Sequence, residues 1–238
     1  MRIDLSIVVP FHNEEDNIES VLKKLSYELK KSKINYEIIA VDNASLDDTS
    51  KIIKNLSRVN KDIKYLYVKE KGYGNAVLNG LKKCSGNFIG YIDGDLEVLP
   101  SDLIKVYKKI KLENADLCKG LRDVRSSRDL RKIASIFYDV IFFLLYGKLI
   151  KQLNAKPKIM KKKIFDKLNL ESRDWFIDAE IMIKALKNKY NIVYEKTTYN
   201  SKSKASSNIR FSTIFEFLKN LVKYRFKRSC INKHHQIF

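Results

Sequence analysis

Cysteine, proline and glycine are all scarce in this chain: three, three and eight among 238 residues. Cys84, Cys118 and Cys230 are odd in number and lack Cys-x-x-Cys spacing, which excludes a disulfide scaffold and fits a reducing cytoplasm. A zinc site is excluded too, because His12, His234 and His235 do not bracket the cysteines at ligand spacing. So little Pro and Gly beside 45% hydrophobic residues excludes a disordered chain. Long apolar runs are missing: a bilayer crossing needs ~20 such residues, and the best stretch, Ile133–Tyr146, is shorter and contains Asp139. The N-terminus enters a strand-like run directly, without an apolar h-region, so no signal peptide is expected. Acidic residues are the last shortage. Against 47 Lys and Arg stand 28 Asp and Glu, a net charge of +19. The first hundred residues hold 15 of each sign, and the remainder hold 32 basic against 13 acidic, so the whole excess lies in the second part. A basic surface attracts polyanions, but no DNA- or RNA-binding motif accompanies it, so a nucleic-acid partner is not expected.

What is present reads as alternating strands and helices. Leu5–Pro10, Tyr36–Val41, Ile63–Val68 and Phe88–Ile92 are short, β-branched or aromatic runs, apolar on both faces where they are longest. Between them, Glu14–Leu29 carries apolar residues at helical spacing, helix resumes near Ser50–Leu56, and Gly72–Lys83 is a loop entering a helix. This alternation predicts an open, mostly parallel α/β sheet flanked by helices, with ligands held at the carboxyl ends of its strands. Those ends are Pro10–Glu14, Asp42–Asp48, Lys69–Gly74 and Asp93–Glu97, all polar or glycine-bearing.

Asp93-Gly-Asp95 follows a buried strand, with Glu97 two residues on. In extended backbone these three carboxylates point to one side, a set that a hard cation such as Mg²⁺ or Mn²⁺ would neutralise. Gly72-Tyr-Gly74 resembles the start of a dinucleotide fingerprint, but Val77 stands where the third glycine belongs, which excludes a Rossmann dehydrogenase. Its glycines are expected to let backbone approach a ligand, with Lys69 and Lys71 near phosphate. Downstream, Leu103–Leu112 reads as a basic amphipathic helix, Ala115–Leu121 as a strand, and Arg122–Lys132 packs four Arg and one Lys into eleven residues. Ile133–Tyr146 is apolar nearly all round, either a buried helix or one exposed in part to lipid. A last stripe, Ile214 to Phe226, runs beside Lys219, Lys223, Lys227 and Arg228 and either lies in a membrane interface or caps the core.

Val8-Val-Pro-Phe-His-Asn-Glu-Glu15, Val41-Asp-Asn-Ala-Ser-Leu-Asp-Asp-Thr49, Lys71-Gly-Tyr-Gly-Asn-Ala76 and Asp93-Gly-Asp95, in that order at successive strand ends, resemble the glycosyltransferase family 2 catalytic domain of GT-A fold. The resemblance implies that Pro10, Glu14 and Asp42 hold a nucleoside, with Lys71 and Gly72 beside the nucleotide sugar. It also implies that Asp93 and Asp95 bind metal and diphosphate, and that Glu97 stands at a third metal-ligand position. Asn43 departs from the pattern, where a second Asp is usual. Within the family the chain is most similar to polyprenyl-phosphate hexosyltransferases of the dolichol-phosphate mannosyltransferase type. Arg122, then Arg131 with Ser135, match their basic positions; Asn154–Lys158 stands where they carry a Gly-Phe-Arg/Lys element; Trp175–Glu180 matches an aromatic-x-Asp-x-Glu segment; and Lys202–Ser207 echoes a basic loop.

These implications define an expected enzyme: a metal-dependent, inverting hexosyltransferase using a GDP-mannose- or UDP-glucose-type donor and a polyprenyl phosphate acceptor. It would be peripheral on the cytosolic face of a membrane, where anionic lipids attract Lys and Arg. Residues 1–205 form the catalytic domain, with 1–100 the donor part and 101–205 the acceptor part, and 206–238 form a basic amphipathic helix and tail. A lipid phosphate arrives nucleophilic, so it needs cations, for which Arg122, Arg131, Lys158 and Lys202 are candidates. Asp95 and Arg131 are then the catalytic candidates. A hydroxyl acceptor on a glycan or glycolipid would need a base instead, and Asp178 is the candidate.

Overall fold

A computed structural model describes residues 2–122, 129–198 and 211–226, with backbone alone at 129–135 and 211–217. Seven strands form one sheet in the order β3-β2-β1-β4-β6-β5-β7. The first four are β1 (Leu5–Phe11), β2 (Tyr36–Asp42), β3 (Ile63–Tyr67) and β4 (Phe88–Tyr91), all parallel. They are joined by α1 (Ile18–Lys31), α2 (Thr49–Val59) and α3 (Tyr73–Lys83). Each agrees within a few residues with the element its apolar spacing predicts. α4 (Pro100–Leu112) begins three residues before the expected helix, with proline in its first turn, where the missing N–H costs nothing.

The second part departs from the simple alternation. β5 (Leu117–Arg122) pairs parallel with β7 (Ile192–Thr197), but between β4 and β5 lies β6 (Lys158–Lys161), antiparallel to both neighbours. This four-residue strand, Lys-Ile-Met-Lys, has no strand signature in sequence, because its length is minimal and its ends are charged. It nonetheless carries two fully buried apolar side chains, Ile159 and Met160, one to each face of the sheet. α6 (Lys162–Leu168) and α7 (Ile177–Lys187) follow it before β7.

Strand alternation divides the core in two. Leu5, Ile7, Val9 and Phe11 face the layer of α1, α2 and α4, whereas Val8, Ile39, Val41 and Tyr91 face that of α3, α6 and α7. The latter layer is extended by α5 (Asp129–Tyr146) and α8 (Phe211–Phe226), which meet where the Tyr146 hydroxyl donates to the Leu221 carbonyl at 2.9 Å. The apolar α5 has a double character. Phe142 is fully buried, while Ile136, Phe137, Val140 and Phe143 are about half exposed and Leu144 is 74% exposed. On α8, Leu221 and Tyr224 are buried but Val222 and Phe226 are open to solvent. Among the described residues, no helix is long and apolar enough to cross a membrane.

Opposite the ligand-binding edge, Glu37 clamps three segments. Its buried carboxylate accepts hydrogen bonds from the Ser6 hydroxyl (2.6 Å), the Ser85 N–H (2.6 Å) and the Ser85 hydroxyl (2.8 Å), and pairs with Lys64. Burial opposes its ionisation, but these donors outweigh burial and hold the carboxyl below its ordinary value. A depressed native pKa contributes stability that is complete above the unfolded-state value of ~4.3 and is lost as pH falls through the native one. Glu37→Ala should therefore cost about 1–2 kcal/mol at pH 7, chiefly by leaving the buried Ser6 hydroxyl without its acceptor. In thermal melts the gap between variant and parent should narrow below pH 4.

Candidate active site

The carboxyl ends of β1, β2 and β4 deliver Pro10, Asp42 and the Asp93–Glu97 turn to one edge of the sheet. Asp42 is fully buried. Its Oδ1 accepts from the Ser45 N–H at 3.0 Å, and its Oδ2 is enclosed with no hydrogen-bond partner among the described residues. Buried acceptors are normally satisfied, so this oxygen is suited to accept from a donor group of a ligand. Asn43 closes the neighbouring loop: its amide nitrogen donates to the Glu70 carbonyl (2.8 Å) while its oxygen accepts from the Gly72 N–H (2.8 Å). An aspartate could do only the second, which explains this departure from the family pattern. The half-buried Glu14 ties the β1 end to α2, its N–H donating to the Thr49 hydroxyl at 3.0 Å and its carboxylate accepting from Asn17.

The glycines admit close-packed backbone. A Cβ on Gly72, where φ is +153°, would lie 2.5 Å from the Arg173 carbonyl, and one on Gly74 would lie 2.5 Å from that of Asp174. The backbone of 172–174 fills that space, and the Asn75 N–H donates to the Arg173 carbonyl at 3.0 Å. Lys69 and Lys71 are exposed beside this junction. The docked segment is fixed from its other side by Glu180, fully buried, which accepts from the Glu171 and Ser172 N–H groups at 2.7–3.1 Å and pairs with Lys184 at 2.7 Å. Trp175 then stacks on Tyr73, with ring centroids 4.2 Å apart and planes within 9°.

The acidic turn also differs from the extended form expected of it. Leu96 takes φ 56° and the Glu97 N–H folds back to Asp95 Oδ1 at 2.9 Å, so alternation does not align the three carboxylates. Glu97 lies 3.6 Å from the Arg122 guanidinium. No cluster of three metal-binding side chains forms among the described residues. Asp93 and Asp95 remain adjacent. Burial first, and the charge of Asp93 second, push the Asp95 carboxyl up to about 6. Two neighbouring oxygen-donor carboxylates are a donor set that suits a hard divalent cation.

Asp178 lies deeper, 1% exposed. It accepts from the Tyr91 hydroxyl at 2.6 Å, pairs with Lys158, and stands 3.5 Å from Lys156. Burial would raise its carboxyl, but Lys158 and Lys156 outweigh burial and hold it below the usual range. A carboxylate so placed orders lysines and is a poor proton acceptor, which weakens the case for it as general base. Lys158 is fully enclosed against it, so its charge faces Asp178 rather than the site opening. The residue that links this carboxylate outward to Asp93 is Lys156, absent from the sequence-based candidates. Its ammonium lies 3.0 Å from Asp93 Oδ2 and over the rings of Tyr73 (4.4 Å) and Trp175 (5.3 Å). Lys156 lies within the Asn154–Lys158 element and Tyr73 within the Gly72–Gly74 motif, but neither pattern singles out either residue; the Tyr73 hydroxyl donates to Asp93 Oδ1 at 2.8 Å. Arg122 is anchored by Gln152, which bonds both its N–H and its carbonyl. Gln152 and Leu153 donate their own N–H groups to Asp139 of α5. The Arg131 side chain, Ser135 and Lys202 lie outside the described residues.

Residues 6–170 match the sequence profile described as Glycosyl transferase family 2. The chain belongs to this family. It is a family 2 glycosyltransferase of GT-A fold. Dolichol-phosphate mannosyltransferase of Pyrococcus furiosus is 28% identical over 227 residues, covering 92% of this chain and 63% of that protein. An uncharacterized protein of Methanocaldococcus jannaschii is 28% identical over 231 residues, covering 92% of this chain and 98% of its own length. This chain thus spans just under two thirds of the Pyrococcus enzyme and nearly all of the Methanocaldococcus protein. In structure, glucosyl-3-phosphoglycerate synthase from Mycobacterium tuberculosis, in complex with Mn²⁺, UDP-glucose and phosphoglyceric acid, aligns with TM-score 0.73 at 17% identity. That alignment covers 94% of this chain and 80% of the synthase.

For this glycosyltransferase the Gly72–Gly74 junction makes a direct test. Gly74→Ala forces a methyl group into the 173–174 backbone and should cost about 2 kcal/mol, as overpacking does. Trp175 fluorescence should report its release from Tyr73 before global unfolding. An unchanged melt and spectrum would remove the junction from the account.

Proposed function

We propose that the protein transfers a hexose from a nucleoside diphosphate sugar to a polyprenyl phosphate, at the surface of a membrane and with Mg²⁺ or Mn²⁺. The observation that carries the donor assignment is the buried, unpartnered oxygen of Asp42 on the same sheet edge as the paired Asp93 and Asp95. On this reading Pro10, Glu14 and Asp42 hold the nucleoside, with Gly72 and Lys71 bordering the sugar nucleotide. Asp93 and Asp95 hold the metal, which when bound would neutralise charge on the diphosphate leaving group. The chain's own part is to orient the donor at this edge and bring a second anion to it. Arg122, beside Glu97, and Arg131 are the acceptor cations assigned here.

A phosphate acceptor is favoured over a hydroxyl by the state of Asp178. Its oxygens are occupied and its proton affinity is lowered, so it does not supply the base that a hydroxyl needs, whereas a phosphate needs none. The half-exposed apolar face of α5 and the basic excess of the second part support a lipid-borne acceptor: apolar side chains seat in the interface while Lys and Arg meet anionic headgroups. The Pyrococcus relative is named for a dolichol phosphate acceptor.

Purified protein incubated with radiolabelled GDP-mannose and UDP-glucose, Mn²⁺, and either polyprenyl phosphate or simple glycans tests this assignment. Label should enter the organic phase with one donor. Label entering only glycans would overturn the acceptor assignment. Asp95→Ala should lower lipid labelling at least 10³-fold, and retained metal-dependent transfer would overturn the metal assignment.

A further inference from the structure

A donor diphosphate must settle beside Asp93 and Asp95, two carboxylates that repel it. Lys156 is a buried cation in contact with Asp93. Its side chain is 6% exposed, with the ammonium 3.0 Å from Asp93 Oδ2, 3.5 Å from Asp178 Oδ2 and over the faces of Tyr73 and Trp175. Aromatic faces hold an ammonium without neutralising it. Asp93 is the more open of its two anionic partners, 18% exposed against 1% for Asp178. An incoming anion therefore reaches Lys156 from the Asp93 side. The position follows from topology. β6 runs antiparallel to β4 with Tyr91 opposite Lys158, so the residues just before Lys158 emerge past the end of β4, where Asp93 begins.

We propose that Lys156 is the donor site's resident cation, held on Asp93 while the site is empty and passed to the diphosphate when a nucleotide binds. This rests on the nucleotide-sugar reading above. The same lysine competes with a divalent cation for Asp93 Oδ2, so nucleotide-free protein binds metal weakly. Nucleotide then strengthens metal binding by drawing the ammonium away.

The experiment uses the full chain, with GDP and UDP as probes against guanosine and uridine. In EDTA, the parent should bind one diphosphate at least tenfold more tightly than its nucleoside, and Lys156→Met should reduce that preference to within about twofold. Without nucleotide, Mn²⁺ titrated by electron paramagnetic resonance should bind Lys156→Met at least threefold more tightly than the parent. A diphosphate preference that survives the substitution, or equal Mn²⁺ affinity in both proteins, would overturn the proposal. Lys156→Gln, which keeps a hydrogen-bond donor near Asp93, serves if the Met variant does not fold. Absence of any diphosphate preference in the parent would overturn it without a variant. If neither nucleotide binds even with Mn²⁺, the donor reading itself fails. If nucleotides bind with Mn²⁺ but are indifferent to Lys156, only this inference fails.

Discussion

Asp178 and the two lysines that flank it hold the site together. A carboxylate at 1% exposure needs opposite charge close by, because an unpaired buried ion costs several kcal/mol. Lys158, itself fully buried, supplies the nearer charge, Tyr91 a hydrogen bond at 2.6 Å, and Lys156 the link outward to Asp93. These groups come from β4, from β6 and the residues just before it, and from the first turn of α7. The interaction can form only if all three are in register. The donor turn at the end of β4 is thereby tied to the aromatic segment preceding α7.

A second consequence is the division of labour among acids that look alike in sequence. Asp42 keeps an oxygen open within a buried cradle, Asp93 and Asp95 crowd one another, Glu97 turns back toward Arg122, and Asp178 is saturated. The same functional group is in turn an open acceptor, one of a close acidic pair, an ion-pair partner and an internal anchor. What differs is the number of donors each meets and its distance from solvent. Glu180, two residues beyond Asp178 in the same helical turn, is different again, holding two backbone N–H groups of the 171–172 loop. Both acids gain from their place at the positive end of α7.

The order of strands and helices through β4 was legible because each element announces itself locally. Apolar runs such as Ile7–Val9 and Ile38–Val41 are buried on both faces, and Ile18, Val21, Leu22, Leu25 and Leu29 form one face of α1. The strand-end acids followed, since parallel sheets present their carboxyl ends as a binding edge. The reading weakened after residue 100 for a definite reason. β6 has only four residues, half of them lysine, and its stability comes from two neighbouring strands rather than from its own pattern. The Gly72–Gly74 motif was visible, but its purpose was not, because the backbone it receives lies about a hundred residues away.

Composition and local order alone determined the α/β class, the neutral first part and basic second part, and the family to which the strand-end motifs belong. Hydrophobic periodicity and turn chemistry act over a few residues and survive without knowledge of the partner. Tertiary structure alone decided which charges meet. Within the Asn154–Lys158 element nothing local distinguishes Lys156 from Lys158, yet antiparallel pairing of β6 with β4 brings the Lys156 ammonium to Asp93, while Lys158, two residues on, is sealed beneath. Electrostatic energy depends on distance and desolvation, and neither quantity is written in sequence until long-range register fixes both.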